Sequence, residues 1–400
     1  MCSWPCGSSR ARISDHQNRS PGPAALRILH AITDLNTGGV PLHLLRLATH
    51  LHQQGESVRV ICLSPPGPVS KRLADAGVAT EACHATGWWD WRAVERLASA
   101  IRDSSPDVVH SLLFHANIAA RFACLLSGFD SHRLICEIQT VEIERPWHLT
   151  VDRCTQHLCR WMVGNSPSVI DHLASRASIA RSRLRLIWGG VDVEAIASAK
   201  PVDRRVLNLK ETEPLLLWVG RLDPVKGLDV LVQATAAANR VRPVQLAIVG
   251  DGPYREELAR RINEHGLAGR VHLLGTRTDV PRLLRAADVF VFPSRTEGLP
   301  NALLEAMAAT IPIVTTDVPG CRDLIESERT GLLVPADDPG ALADAVIRIL
   351  QDRSLARRLS RAAATHVRGR HHRQRCFEAY RALYRETTVT ASQAVPSRLQ

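Results

Sequence analysis

The chain is predicted to be an α/β protein of two domains, each built on a doubly wound parallel sheet. Three observations carry this. Short apolar runs alternate with helical stretches from Arg27 onward, the order that builds parallel sheets covered by helices. Runs such as Val289-Phe290-Val291-Phe292 lack polar alternation, as strands buried on both faces do. The 400 residues exceed one ordinary core, and the polar, aperiodic stretch 192–213 divides the alternation in two.

Taken in order, residues 1–24 are rich in Ser, Pro, Gly and Arg and are expected to be a disordered tail. The N-terminal domain, 25–191, opens with a strand at 28–32 and a loop at 34–39. A helix at 40–52 follows, with Leu42, Leu45, Leu47 and Leu51 apolar. Then come a strand at 58–63, the Ser-Pro-Pro-Gly-Pro loop, a helix at 71–76 and a strand at 78–83. Helix 91–102, strand 107–111, helix 113–126, strand 134–138 and helix 149–160 continue the series. Segments 162–165, 169–173 and 184–187 complete it. Residues 192–213 are assigned as a linker.

The C-terminal domain, 214–370, repeats the pattern. Strands are expected at 215–220, 244–249, 271–274, 288–293, 311–315 and 332–334. Helices are expected at 228–238, 254–265, 280–286, 302–309, 320–326, 339–350 and from 355 to 385. Pro300 suits the first position of the 302–309 helix, where its missing N–H costs nothing. Residues 386–400 read as a frayed tail.

Lys and Arg number 50 against 40 Asp and Glu, a net charge of +10. That excess suits nucleic acid, an anionic membrane surface or phosphorylated substrates. No helix-turn-helix, zinc or RNA-binding motif accompanies it, so nucleic acid is not the expected partner. Nearly all the cations are arginine, and only Lys71, Lys200, Lys210 and Lys226 are lysines. No apolar window reaches about 18 residues, so no spanning helix is expected. The start, MCSWPCGSSRARISD, lacks the apolar core of a signal peptide. A cytoplasmic protein with mostly reduced cysteines is expected. Cys2 and Cys6 have a spacing compatible with a metal or a disulfide, but without a second pair they read as part of the tail.

The stretch 288–316 is the most informative. A buried strand, a Gly-Pro loop and a helix start leave free N–H groups beside a strand's carboxyl end. Open α/β sheets bind ligands there, and phosphate is electrostatically favoured. Glu297 lies in the loop, and Glu305, one and a half turns into the helix, leans back over the same crevice. In Trp-Val-Gly-Arg-Leu-Asp-Pro-Val-Lys-Gly, Arg221 and Lys226 follow another strand, two cations placed for a diphosphate. Gly38-Gly39 follows the first strand and either admits a ligand close to the backbone or forms a simple turn. Neither Gly-x-Gly-x-x-Gly after that strand nor a P-loop is present. No Asp-x-Asp is placed to hold a metal.

These residues resemble the Glu-x7-Glu signature of retaining glycosyltransferases of family four, which have the two-domain GT-B fold. The resemblance spans roughly residues 26 to 385 and is strongest from 214 to 335. It implies two Rossmann-like domains facing a cleft, with the last helix, 371–385, crossing back to the N-terminal domain. It implies that Glu297 contacts the donor sugar and Glu305 the ribose of a nucleotide sugar. The backbone of Gly298, Leu299, Pro300 and Asn301 would hold the diphosphate. Arg221 and Lys226 would stabilise the leaving group, and Gly38, Gly39 and Val40 would border donor phosphates and acceptor. Arg277, leaving a strand in Gly275-Thr276-Arg277, would contact the base through its backbone.

Phe114-His115-Ala116-Asn117 resembles a subgroup's helix start. It makes His115 the first candidate for the transferred sugar and His110 the second. Relatives have a histidine where this chain has Leu112, and Asn where it has Gly189. Gly250 and Gly252 resemble a structural turn. The implied function is transfer of a sugar, with UDP-sugar as default donor, to a glycan or lipid-linked acceptor, without metal or other cofactor. An inactive binding or scaffold protein, a sugar-nucleotide epimerase and a glycogen-synthase-like polymerase are the alternatives. Trp88, Trp89 and Trp91 pack at a helix start or stack on an acceptor sugar. The Arg-rich region 153–185 is a solvated face or a surface for anionic lipid on the inner face of the membrane.

Overall fold

A computed structural model describes residues 24–87, 90–139 and 147–393. Trp88, Trp89, Cys2, Cys6 and the rest of the N-terminal tail lie outside the described residues.

The N-terminal domain comprises β1 (Arg27–Ile32), α1 (Gly39–Gln53), β2 (Ser57–Cys62), α2 (Pro68–Asp75), β3 (Ala79–Ala82) and α3 (Trp91–Ser104). It continues with β4 (Val108–Leu112), α4 (Phe114–Ser127), β5 (Leu134–Ile138), α5 (Trp147–Thr155), β6 (Trp161–Gly164), α6 (Pro167–Arg176) and β7 (Leu184–Leu186). After α7 (Val193–Ala197), the C-terminal domain runs β8 (Leu215–Val219), α8 (Leu228–Val241), β9 (Gln245–Val249), α9 (Arg255–Glu264) and β10 (Val271–Leu273). Next come α10 (Val280–Ala286), β11 (Val289–Phe292), α11 (Asn301–Ala308), β12 (Ile313–Thr316), α12 (Pro319–Arg322) and β13 (Leu332–Val334). Three helices close the chain, α13 (Pro339–Gln351), α14 (Arg353–Arg370) and α15 (Arg373–Gln393).

Both sheets are parallel. The first has the order β3-β2-β1-β4-β5-β6-β7, the second β10-β9-β8-β11-β12-β13. Each order reverses once, between β1 and β4 and between β8 and β11. Loops leaving such neighbours diverge and open a crevice at the carboxyl edge. The residues of β11 are all buried, as the unbroken apolar run requires.

The last helix does cross back. Cys376, Phe377, Tyr380, Leu383 and Tyr384 of α15 join the core containing Ile28, Ile32 and Leu44. It runs to Gln393, past the expected end at 385, with Thr387 fully buried. Thr387 and its neighbours are poor helix formers, so tertiary packing carries this end. Residues 192–213, expected as a linker, include α7 and place Val193, Ile196, Val202 and Leu209 in the core of the second domain.

Three local expectations are corrected. Pro300 is the N-cap of α11, not its first helical residue, with φ −75° and ψ 106°. Its carbonyl still accepts from Leu303 N at 3.0 Å. The helix expected to reach Arg160 stops at Thr155, and a 3-10 turn over Gln156–Leu158 delivers Trp161 to β6. The helix expected over 320–326 is only Pro319–Arg322, because Thr330 Oγ1 accepts from Glu326 N at 2.8 Å and closes a turn instead.

Candidate active site

The four loops at the two reversals carry most of the candidates. In the N-terminal domain, Gly38 and Gly39 follow β1 and His115 follows β4. In the C-terminal domain, Arg221 and Lys226 follow β8, and Glu297 to Asn301 follow β11.

The C-terminal side is tied together by side chains. Lys226 Nζ lies 2.7 Å from Glu297 Oε1, and the same oxygen accepts from Ser294 Oγ at 2.6 Å. Lys226 and Glu297 are largely buried, with side-chain exposures of 22% and 9%, so the attraction is less screened than at an open surface. Lys226 ends a 3-10 turn over Pro224–Lys226 that Asp223 caps through Val225 N at 3.2 Å. Arg295 locks the β8 and β11 loops together: its N–H donates to Val225 O at 2.8 Å and its guanidinium binds Asp229 at 2.8 Å.

Two glycines make this approach possible. Gly227 has φ +65°, and a Cβ there would lie 2.0 Å from Pro293 O. At Gly320 a Cβ would sit 2.5 Å from Gly298 O and 2.6 Å from Glu297 O. Only a residue without a side chain lets the Glu297 loop lie so close.

The domains meet at the same place. A Cβ on Gly39 would lie 3.2 Å from Asn301 Nδ2. Ser166 Oγ donates to Gly298 O at 2.9 Å, and Ser168 N donates to Asp323 at 3.0 Å. Leu299 is buried in the second core. The first turn of α11, with its free N–H groups, therefore faces the Gly38-Gly39 loop, a geometry that suits an anion.

Across this cleft two family models divide the chain. The model described as Glycosyltransferase Family 4 matches residues 37–195, and Glycosyl transferases group 1 matches 199–366. The chain belongs to the family-four glycosyltransferases. It is 28% identical over 296 residues to an alpha-D-kanosaminyltransferase of Streptomyces kanamyceticus, covering 70% of this chain and 77% of that one. It is 27% identical over 282 residues to the Escherichia coli UDP-Gal:alpha-D-GlcNAc-diphosphoundecaprenol alpha-1,3-galactosyltransferase, covering 66% and 72%. A crystal structure of Anabaena HepE in complex with UDP superposes with a TM-score of 0.79 at 19% identity, over 90% of this chain and all of that one. The fold is GT-B.

In this family-four glycosyltransferase the remaining candidates are placed as follows. Arg221 is exposed and pairs with Asp223 at 2.6 Å. Arg277 is clamped by Asp279 through two bonds of 2.8 Å, which fix its side chain. Glu305 is not joined to Lys226 or Arg221. Burial raises its carboxyl pKa, opposed by the charges of Arg46 on α1 and Arg373 on α15.

His115 sits in the first turn of α4. Asn117, fully buried, anchors that turn: its Oδ1 accepts from Ser111 Oγ at 2.8 Å and its Nδ2 donates to Glu137 O at 2.9 Å. Ala116 N donates to Thr33 Oγ1 at 3.2 Å. Leu113, just before the helix, has φ 75° and ψ 152°, a region that costs about 1–3 kcal/mol for a residue with a side chain and is typical of functional sites.

His110, by contrast, is fully buried within β4. It lies 3.0 Å from Glu137 Oε2 and 2.8 Å from the Tyr384 hydroxyl. Tyr380 donates to Glu137 Oε1 at 2.7 Å. His110 thus belongs to the contact that seats α15. Ser166, Ser294, Arg295, Arg46 and Arg373 were not singled out from sequence. Ser294 and Arg295, adjoining the motif, offered the only local signal.

Proposed function

We infer that the protein transfers a sugar, with retention of anomeric configuration, from a nucleoside-diphosphate sugar to a sugar hydroxyl of a glycan or lipid-linked acceptor. One observation carries this: Lys226 and Glu297 are joined at 2.7 Å beside the N-terminus of α11, which faces the Gly39 loop. A diphosphate over the α11 N-terminus meets Lys226 and, once Arg221 swings from Asp223, a second cation. These offset the charge that grows on the departing nucleoside diphosphate, the preorganised electrostatics that lowers such barriers. Glu297 then exchanges Lys226 for sugar hydroxyls, and Glu305 accepts from the ribose.

His115 reaches the transferred sugar from the opposite domain. The acceptor attacks from the face the diphosphate leaves, which keeps the configuration. Lys226 and a swung Arg221 supply the charge a metal would, so activity is expected to survive chelation. UDP is the default donor nucleotide, supported by the UDP complex of the HepE structure. A cytoplasmic site on the inner membrane face fits the Arg-rich surface, where Arg153 and Arg176 are exposed. Equal sedimentation with neutral and anionic vesicles would contradict that placement. The transfer itself is tested by incubation with UDP-sugars and a panel of glycans, with proton NMR of the new anomeric centre. Retention is expected, and an inverted product contradicts the proposed attack.

A further inference from the structure

A cavity of about 380 Å³ opens in the N-terminal domain, within the range of about 300–1,000 Å³ common for small-molecule sites. It begins at the carboxyl edges of β1 and β2, passes His115 and runs between α3 and α4 to α5. Its walls are Trp91, Val94, Phe114, Ile118, Phe122 and Trp147, and no Lys, Arg or Glu lines it among the described residues. Trp91 packs on Phe122 with ring centres 6.2 Å apart, and Phe114 meets Trp147 at 5.4 Å.

Of the polar side chains in the walls, Thr33, Thr86 and Asp90 are already engaged. Asp90 accepts from Thr86 N and Oγ1 and from Arg92 N. Thr33 Oγ1 accepts from Ala116 N. A hydroxyl-rich sugar would lose its bonds to water inside and regain few, which costs more than apolar contact returns. An apolar chain loses nothing polar and gains the hydrophobic term. The mouth supports the same occupant. Trp91 and Trp147 line the cavity yet stay 50% and 41% exposed, and Leu125 and Leu126, farther along α4, are 55% and 47% exposed. Amphipathic rings at an apolar opening suit a ligand that continues outward as hydrocarbon.

We propose that this cavity holds an aliphatic chain carried by the acceptor, so that the acceptor is an amphipathic glycolipid whose sugar end meets His115. The proposal rests on the transferase reading above and narrows its acceptor.

The test is calorimetric titration with methyl, hexyl, heptyl and octyl β-D-glucosides, below micelle-forming concentrations and with UDP present. Among the longer three, each added methylene is expected to tighten binding about fourfold, the equivalent of roughly 0.8 kcal/mol. Val94→Trp fills the cavity and is expected to flatten the series to less than twofold per methylene. Trp147→Ala, at the exposed rim, is expected to weaken octyl but not methyl glucoside. Equal affinity along the series overturns the proposal, as does an undiminished gain in both variants. UDP titrated alone separates the two readings. Absence of UDP binding overturns the UDP-sugar donor reading, whereas UDP binding with a flat alkyl series overturns the lipid inference alone.

Discussion

Glu297 is held by a cation and a hydroxyl on one oxygen, Lys226 at 2.7 Å and Ser294 at 2.6 Å. Removing the ammonium in Lys226→Ala is expected to lower kcat/KM about 10²–10³-fold, the usual loss for a charge-stabilising donor. The variant should remain folded, with its melting temperature lowered by loss of a largely buried ion pair. Glu297→Ala should act similarly, in steady-state assays with saturating donor. Gly227→Ala is a different kind of change. It adds a Cβ at φ +65° and 2.0 Å from Pro293 O, so urea unfolding should show a loss of at least about 1 kcal/mol. The signature residues were readable because motif spacing is local. Ser294 and Arg295 were not, because their work depends on two loops meeting across a sheet reversal. Glu305 shows the same limit: its neighbours Arg46 and Arg373 come from distant helices.

The elements that matter most are α4, α11 and α15. The first turn of α4 hangs on Asn117, which bonds to β4 and to the end of β5. Asn117→Ala removes two buried hydrogen bonds and should cost about 1–3 kcal/mol in chemical denaturation. Activity per folded molecule should fall as well, because His115 shares that turn. Central strand positions were legible, since a buried parallel strand such as β11 announces itself as an apolar run. Helix ends were less so. Thr155 ends α5 early, and α15 outlasts its helix propensity because Leu383, Tyr384 and Thr387 are buried against the first domain. Neither outcome follows from the residues of the helix alone.

At the scale of the whole molecule, two chain passages lie side by side between the domains. Val191 N donates to His371 O at 2.8 Å, Arg373 N donates to Val191 O at 3.0 Å, and Arg373 pairs with Asp192 at 2.9 Å. His371 is fully buried there, with its Nδ1 3.0 Å from Gly189 O. Burial pushes its pKa down to about 4, and burial also lowers His30 and His43 beneath α15. The unfolded chain takes up protons on these imidazoles near pH 6.5, whereas the folded chain resists until lower pH. Their contribution to stability is therefore complete above pH 6.5 and falls as pH drops toward 4. Urea midpoints should decline over that window, and His371→Asn should shallow the decline. The two-domain plan was visible in the sequence as a repeated alternation. This doubled crossing was not, since it joins residues about 180 apart.

The central claim is a cleft that binds a nucleoside diphosphate between Lys226 and the start of α11. Calorimetric titration of UDP into the parent protein and Lys226→Ala tests it most directly. One site per chain, weakened at least about tenfold by the substitution, is the expected result. Equal UDP affinity in a folded Lys226→Ala protein would contradict it.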